Sequence, residues 1–311
     1  MPERLLQSDR IIPERDLPGA VASRDIPPSF EVMELPTERH GFFGSLGGLL
    51  GVRPRTIILK SYLRERLLGA GAQDPARLGS SSLVSGWIEG GRTRHALIRT
   101  GEEAWMLKAY RRGGWLGRWN SSRYWGRTRF LEELRVAALA ESFGVATAEV
   151  LALILEPAGL GSLRAWLVTR YLPGVRPLHE YLGDRDGGQI FYAAGKEVRR
   201  MHEAEIDHHD LHVGNIMVSM EADGPHALIV DWDLARARAE DSWSPYANLI
   251  RLWRSVQKGH LKESRFLHRS MRAFVRGYFG GRPEALREVR RYFRRRAFFL
   301  GLRRWFRRAS R

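Results

Sequence analysis

The sequence predicts an α+β protein in which a small β-rich half precedes a mainly helical half. Short apolar runs separated by turn signals fill residues 83–171, whereas runs with helical spacing dominate after residue 177. The chain has 311 residues, of which 43% are hydrophobic, so it is long enough to bury a substantial core. We therefore expect a two-part protein whose halves join near residues 171–177.

Three short strands are predicted at the start of the β-rich half. They span residues 83–88, 94–99 and 104–110. Gly90-Gly91 separates the first two, and a turn signal at residues 100–103 separates the second and third. Lys108 therefore belongs to a strand and not to a loop.

A helix is predicted next, over residues 127–143, because apolar side chains such as Phe130 and Leu134 recur on one face. Gly144 stands where a glycine commonly ends a helix. Two further strands follow at residues 150–155 and 165–171, which completes the β-rich half.

The helical half is predicted to begin with a helix at residues 189–205 and to be mostly helical over residues 246–308. Two short apolar runs, residues 216–218 and 227–230, lie between these helices. The domain assignment is an N-terminal extension of unknown role at 1–80, a β-rich lobe at 81–172, a helical lobe at 173–281 and a basic amphipathic helix at 282–311.

Composition excludes several classes of function. The chain has no cysteine, which excludes disulfides, thiolate catalysis and cysteine-based zinc sites. Its longest nearly uncharged apolar stretch, residues 41–52, is too short to span a bilayer, so no transmembrane segment is predicted. The formal net charge of +16 implies a polyanionic neighbour, which is nucleic acid, an anionic membrane face or a phosphorylated substrate.

The strongest chemical signal is Asp210 with Asn215 five residues later and Asp231 sixteen residues after that. In phosphoryl transfer an aspartate accepts the proton of the attacking hydroxyl, and an asparagine at this spacing coordinates Mg²⁺. Asp231 ends an apolar run, as a second carboxylate ligand of the metal would. Either aspartate alone could simply cap a helix or end a strand. Their order and spacing predict Asp210 as the catalytic base and Asn215 and Asp231 as metal ligands.

Lys108 supplies a third part of the same chemistry. A lysine on a central strand can hold the α- and β-phosphates of ATP once a helical glutamate pairs with it. We expect Glu133 to be that partner, since its neighbour Glu132 faces another side. Gly90 and Gly91 would form the loop over the phosphates, although a simple turn explains them equally well. The sequence contains no G-x-x-x-x-G-K-[ST] motif, which excludes a P-loop.

Histidines near Asp210 raise zinc as an alternative. They are His202, His208, His209 and His212. The H-E-x-x-H arrangement fails because residue 206 is isoleucine. We expect neutral histidines that orient the loop by hydrogen bonds.

Several segments resemble the lipopolysaccharide kinase family, meaning the Kdo kinases and the related heptose kinases of the inner core. They are the strand and RRGG pattern at 107–114, the glutamate-bearing helix at 133–145, the hinge-like segment at 167–178, the Asp-aromatic-Asp at 231–233 and residues 248–255. The resemblance covers about residues 83–278. It implies a protein-kinase-like two-lobed fold, with ATP and Mg²⁺ used to phosphorylate a Kdo or heptose hydroxyl of lipid A–core.

Other readings stay open beside this resemblance. Aminoglycoside- and choline-type kinases share the Asp-Leu-His…Asn and Asp-Trp features, so another small-molecule or protein kinase of this fold is an alternative. A catalytically weak kinase-like binding module is another. His212 stands where Ser/Thr kinases usually have lysine, and no Ala-Pro-Glu follows Asp233, which favours a small substrate.

The C-terminal tail, residues 282–311, is rich in arginine and has apolar residues at helical spacing. This make-up is typical of an interfacial helix on anionic lipid, where each basic residue contributes about 1 kcal/mol. A nucleic-acid arm and a helix packed on the helical lobe are the alternatives. We expect a cytoplasmic protein bound peripherally to the inner membrane, with lipid A–core as substrate and no nucleic-acid partner. The acceptor hydroxyl and the oligomeric state are left open.

Overall fold

The structure, a computed structural model, describes residues 26–35, 54–90, 93–111, 122–159, 161–182, 184, 187–237, 245–258 and 265–280. The strands are β1 (Phe30–Leu35), β2 (Arg55–Lys60), β3 (Val84–Gly90), β4 (Thr93–Thr100), β5 (Glu103–Ala109), β6 (Tyr124–Trp125), β7 (Val150–Gly159), β8 (Ser162–Arg170), β9 (Arg176–Pro177), β10 (Ile206–Asp207), β11 (Ile216–Glu221), β12 (Gly224–Ile229) and β13 (Arg236–Ala237). The helices are α1 (Arg64–Gly69), α2 (Pro75–Leu78), α3 (Thr128–Ser142), α4 (Gly187–Glu203), α5 (Tyr246–Lys258) and α6 (Arg265–Phe279). No helix among these residues is long and apolar enough to cross a membrane.

The first lobe is built on one antiparallel sheet with the strand order β1-β2-β7-β8-β5-β4-β3, to which β6 adds by pairing with β8. Tight turns set the local pairings. Gly101, with φ +62°, lies in the turn that pairs Thr100 with Glu103 and so fixes the β4–β5 register. The predicted strands at 83–88, 94–99 and 104–110 correspond to β3, β4 and β5, and the two-lobed α+β fold class is confirmed.

The two faces of this sheet pack against different elements, because side chains alternate along each strand. One face includes Trp105 and forms an apolar cluster with Leu67 of α1 and Leu78 of α2. The opposite face includes Leu167 and packs against α3. Lys108 lies on this second face, since it stands opposite Leu167 in the β5–β8 ladder.

The sheet extends past the predicted boundary at residue 81. β1 and β2 fall within the segment assigned as an N-terminal extension, yet β2 pairs with β7 in the middle of the chain. Ile57, Ile58 and Leu59 of β2 are fully buried. The described part of this segment therefore belongs to the first lobe. From the sequence, residues 55–68 could be a short strand or a helix, and the choice could not be made because the partner strand comes much later in the chain.

The helix predicted over residues 127–143 is confirmed as α3. Gly144 follows it with φ +68°, the left-handed conformation in which glycine ends a helix at little cost. Phe130, Leu134 and Glu133 are all buried on the side of α3 that faces the sheet and the second lobe. A carboxylate is thus carried into the interior by an otherwise apolar helix face.

The second lobe packs α4 against α6 and against the β11–β12 hairpin. The helices predicted at 189–205 and within 246–308 correspond to α4, α5 and α6, although residues 281–311 lie outside the described part. The backbone amide of Ile229, at the end of β12, donates to the carbonyl of Ala146 at 2.9 Å. This bond carries the chain that follows β12, including Asp231, to the junction of the two lobes.

Candidate active site

Lys108 is presented by the β4–β5 hairpin on the sheet face that looks toward α3 and the second lobe. Its Nζ lies 2.7 Å from Asp231 Oδ1 and 3.9 Å from Glu133 Oε1. Burial alone would lower the pKa of Lys108, but the carboxylates of Glu133 and Asp231 outweigh it and raise the pKa above its ordinary value. Lys108 therefore stays charged between two acidic groups.

Glu133 projects from α3 and is only 2% exposed. The hydroxyl of Tyr110 donates to its Oε2, and its Oε1 faces Lys108. Burial raises the pKa of Glu133 above that of an ordinary carboxyl, while Lys108 acts in the opposite direction. The sequence predicted the Lys108–Glu133 pairing, and the structure brings the two side chains together, with Asp231 in the shorter contact.

The loop after β10 holds Asp210 and Asn215 in fixed relation to each other. The Asn215 side-chain amide donates to the backbone carbonyl of Asp210 at 3.1 Å, and Asn215 is buried. The Asp210 carboxylate points outward, with 55% of its side chain exposed and His212 Nε2 at 4.0 Å. An incoming hydroxyl group can therefore reach Asp210, while the loop beneath it is rigidly bonded.

This loop is tied directly to the segment that carries Asp231. The Val230 amide donates to the carbonyl of Asn215 at 3.0 Å. The buried ring of His208 lies 3.1 Å, through Nε2, from the carbonyl of Val230 and packs against Trp232. Two contacts to the backbone of Val230 thus hold the loop that carries Asp210 and Asn215 next to the end of β12, where Asp231 follows.

Asp231 itself adopts a left-handed conformation with φ +67°, which is uncommon for a residue other than glycine. Burial would raise the pKa of Asp231, but the contact with Lys108 outweighs it and lowers the pKa. Trp232 donates from Nε1 to the Thr147 hydroxyl at 2.9 Å, which anchors the turn after Asp231. Asp231 is therefore an ionised carboxylate held at the lobe junction.

Among the described residues, the four histidines near Asp210 in the sequence do not belong to any group of three or more possible metal ligands. His202 is buried between Tyr278 and Asn248, away from Asp210, whereas His208 orients the Val230 backbone. Burial lowers the pKa of both imidazoles. These contacts fit the predicted role of neutral histidines that orient their neighbours.

Gly90 ends β3 and pairs with Thr93 across the turn to β4. Gly91 lies outside the described residues, as do most of the RRGG segment and the basic tail at 282–311. The predicted phosphate-covering role of Gly90 and Gly91 therefore stays a prediction.

Three side chains at this site were missed from the sequence. Tyr110 bonds Glu133, Arg129 bonds Asp233, and His95 is buried beside Lys108. The turn signal at residues 100–103 could have revealed His95, because the pairing of Thr100 with Glu103 places residue 95 opposite residue 108. No comparable local signal existed for Arg129, since Asp233 is far from it in the sequence.

The chain is similar to known proteins over both lobes. Residues 82–278 match the model of the lipopolysaccharide kinase (Kdo/WaaP) family. A 3-deoxy-D-manno-octulosonic acid kinase of Vibrio cholerae is 30% identical over 174 residues, which are 54% of this chain and 71% of the relative. The enzyme of the same name from Xanthomonas axonopodis is 33% identical over 186 residues, which are 56% and 73%.

Two solved structures share the fold. One is WaaP in complex with acyl carrier protein, with a TM-score of 0.51 and 18% identity over 79% of this chain and 95% of that one. The other is amicoumacin kinase, with a TM-score of 0.50 and 15% identity over 70% and 80% of the two chains. At this level of identity the likeness concerns the fold alone.

Proposed function

This chain belongs to the lipopolysaccharide kinase (Kdo/WaaP) family, and on that premise we propose that it transfers the γ-phosphoryl group of ATP to a sugar hydroxyl of the lipopolysaccharide inner core. The geometric observation that carries this proposal is the 2.7 Å contact between Lys108 and Asp231. It joins the lysine of the first lobe to the carboxylate beside the Asp210–Asn215 loop of the second.

In the proposed reaction Asp210 accepts the proton of the acceptor hydroxyl as its oxygen attacks the γ-phosphorus. The bond from that phosphorus to the bridging oxygen of the β-phosphate breaks, and ADP leaves. The exposure of the Asp210 carboxylate supports this role, because a sugar attached to a large glycolipid must reach it from solvent. Lys108 would exchange its contact with Asp231 for phosphate oxygens of the nucleotide.

Asn215 and Asp231 would hold Mg²⁺. The donor set suits this ion, which prefers oxygen ligands. Because the Asn215 amide nitrogen is engaged with the Asp210 carbonyl, its side-chain oxygen is the atom left for a cation. Asp231 supplies an ionised carboxylate. When bound, the metal neutralises charge on the transferring phosphoryl group.

We propose Kdo as the acceptor sugar, since relatives that are 30% and 33% identical over the aligned residues are named 3-deoxy-D-manno-octulosonic acid (Kdo) kinases. A heptose is the alternative acceptor within the same family.

We further propose that the enzyme works while bound to the anionic inner face of the inner membrane. The formal net charge of +16 supports this. So does an open groove of about 1050 Å³ between α4, α6 and β12, in which basic side chains outnumber the carboxylates of Glu197 and Asp223. The basic side chains are Lys196, Arg200, Arg269, Arg272 and Arg276. Anionic headgroups are the natural counterpart of such a face.

The catalytic proposal is tested with Asp210→Asn. Transfer of labelled phosphate from Mg-ATP to a lipid A acceptor bearing Kdo should fall by about 10²–10⁴-fold, the usual contribution of a general base. ATP binding should persist. Asp223→Asn, an exposed carboxylate on the β11–β12 turn, is the matched control and should keep full activity. Full activity in Asp210→Asn would sink the proposed base, and no transfer by the wild-type chain to any core acceptor would sink the proposed function.

The membrane proposal is tested by sedimentation with liposomes. The full chain should bind vesicles that contain anionic lipid and not neutral ones, and deletion of residues 282–311 should weaken that binding strongly. A full chain that ignores anionic vesicles would contradict the proposal. A truncated chain that stays fully bound would remove the tail as the anchor.

A further inference from the structure

His95 occupies the position beside Lys108 on the same face of the sheet. The β4–β5 ladder ends with Ala96 opposite Leu107, and His95 and Lys108 are the next residues in the same register. Directly opposite residues of an antiparallel pair point to the same side. The imidazole therefore faces the lobe junction, as the lysine does.

On its other side His95 pairs with Ile88 of β3, two cross-strand pairs from the Gly90–Thr93 pair at the β3–β4 turn. It consequently lies between the two parts of the first lobe that the proposed function assigns to phosphate, namely Lys108 and the β3–β4 turn. The next residues on this face toward the β4–β5 turn, Leu97 and Met106, lie opposite each other and carry no polar group. His95 is thus a polar side chain at the phosphate end of this face.

His95 is only 7% exposed, and its Nδ1 has no hydrogen-bond partner among the described residues. Buried polar atoms in native proteins are nearly always bonded, and an exception calls for an explanation such as an absent ligand. The charged groups that act on this ring are Lys108 and Asp231. Burial and the neighbouring Lys108 lower the pKa of His95, so the ring is neutral and carries one N–H donor.

We propose that His95 binds the nucleotide, donating a hydrogen bond from its imidazole to a phosphate oxygen of ATP beside Lys108. The inference rests on the proposed kinase function, because only a nucleotide placed against Lys108 brings phosphate oxygens to this point. It also explains why a polar ring is kept in an apolar sheet: its nitrogen gains a partner when the ligand arrives.

The test compares His95→Leu with His95→Asn by calorimetric titration with ATP, ADP and adenosine. Loss of a hydrogen bond to a charged group should weaken ATP and ADP binding about tenfold in His95→Leu, while adenosine binding stays unchanged. His95→Asn, whose amide can replace Nδ1, should recover most of the loss. His226→Asn, an exposed histidine on β12, is the control and should bind all three ligands as the wild type does.

A merely structural role predicts a different pattern. His95→Leu would then lower the unfolding temperature of the ligand-free protein and weaken adenosine and ATP alike, which would overturn the inference. Unchanged ATP affinity in His95→Leu would overturn it too, as would a wild-type chain that binds no nucleotide. If the wild-type chain binds ATP but phosphorylates no core acceptor, the proposed function is wrong. The titrations with the His95 variants would still test whether His95 contacts the phosphates.

Discussion

Arg129 holds the carboxylate of Asp233 through two of its N–H groups, with Nε 2.6 Å from Oδ1. The two aspartates of the Asp-Trp-Asp segment therefore have different partners: Asp231 contacts Lys108 on the sheet, whereas Asp233 contacts Arg129 on α3. Arg129 lies one turn before Glu133 on that helix. The pair therefore fixes the turn after Asp231 to the helix that carries the predicted partner of Lys108.

At the residue scale we expect Arg129→Gln to lower the free energy of unfolding by about 1 kcal/mol, a modest figure because the Arg129 side chain is 45% exposed. The KM for ATP should rise as well, since Asp233 would no longer hold Asp231 in place. Urea unfolding and steady-state kinetics measure the two effects. Arg199→Gln, which removes the surface pair with Glu203, is the control and should change stability by less than about 0.5 kcal/mol without altering the KM. Indistinguishable kinetics in the two variants would contradict the positioning role.

The sequence proposed five main candidates for the site, and it missed Tyr110, Arg129 and His95 as well as the contact of Lys108 with Asp231. Asp210, Asn215 and Asp231 could be found because their spacing reflects one local chemistry. The short contact of Lys108 with Asp231 could not be found, because it joins residues 123 positions apart and depends on how the lobes meet. The contact between Arg129 and Asp233 could not be predicted for the same reason, since these residues are also far apart in the sequence.

At the element scale, α4 and α6 approach each other at two glycines. A Cβ at Gly277 would overlap the carbonyl of Tyr192, and one at Gly195 would overlap the carbonyl of Phe274. Glycine costs a helix interior about 1 kcal/mol relative to alanine, so its presence at both positions indicates that backbone proximity outweighs helix propensity. The packing of α4 on α6 positions the β11–β12 hairpin, which also contacts α4.

We expect Gly277→Ala to destabilise the protein by about 1–3 kcal/mol, the usual cost of overpacking, despite the better helix propensity of alanine. Gly188→Ala is the matched control on α4. The nearest atom to its added methyl would be the Nε of Arg269 at 3.9 Å, so this variant should be neutral or more stable by up to about 1 kcal/mol. Urea unfolding checks both. Equal stability of the two variants would show that the helices can separate at no cost.

Element prediction succeeded wherever pairing is local. The β3–β4–β5 strands follow from two turn signals, and α3 follows from its periodicity and from Gly144. β1 and β2 were missed because their burial depends on β7, far along the chain. The helices α1 and α2 were missed for a related reason, since each is short and is stabilised by the apolar cluster that includes Trp105.

At the scale of the whole molecule, a buried polar network links the three long helices of the second lobe. His202 on α4 lies 2.7 Å, through Nδ1, from the Tyr278 hydroxyl on α6 and 3.2 Å, through Nε2, from the Asn248 amide on α5. The Asn248 side-chain oxygen in turn accepts from Arg251 at 3.1 Å. A charged imidazole cannot sit in this network at low cost, because it is fully enclosed.

Acid should therefore destabilise this lobe in a window set by His202. Burial lowers the pKa of His202 to about 3 in the folded protein, whereas an unfolded histidine titrates near 6.5. Between these two pH values the unfolded chain binds a proton that the folded chain does not. The stability contributed by neutral His202 is thus fully present above about pH 6.5 and is lost as pH falls, with a slope of up to about 1.4 kcal/mol per pH unit.

The variant His202→Gln isolates this contribution, since its amide can bond both Tyr278 and Asn248 but cannot titrate. Urea unfolding at pH 7.5, 6.5, 5.5 and 5.0 should show the wild type losing stability more steeply than the variant. Below about pH 6 the difference between the two slopes should approach the value for uptake of one proton on unfolding. The large positive net charge acts on both proteins and largely cancels in that difference, whereas His208 acts on His202 itself and is part of the measured effect. Parallel curves for the two proteins would mean that His202 takes up its proton while the protein is folded. The network would then not keep His202 neutral, which would contradict the prediction.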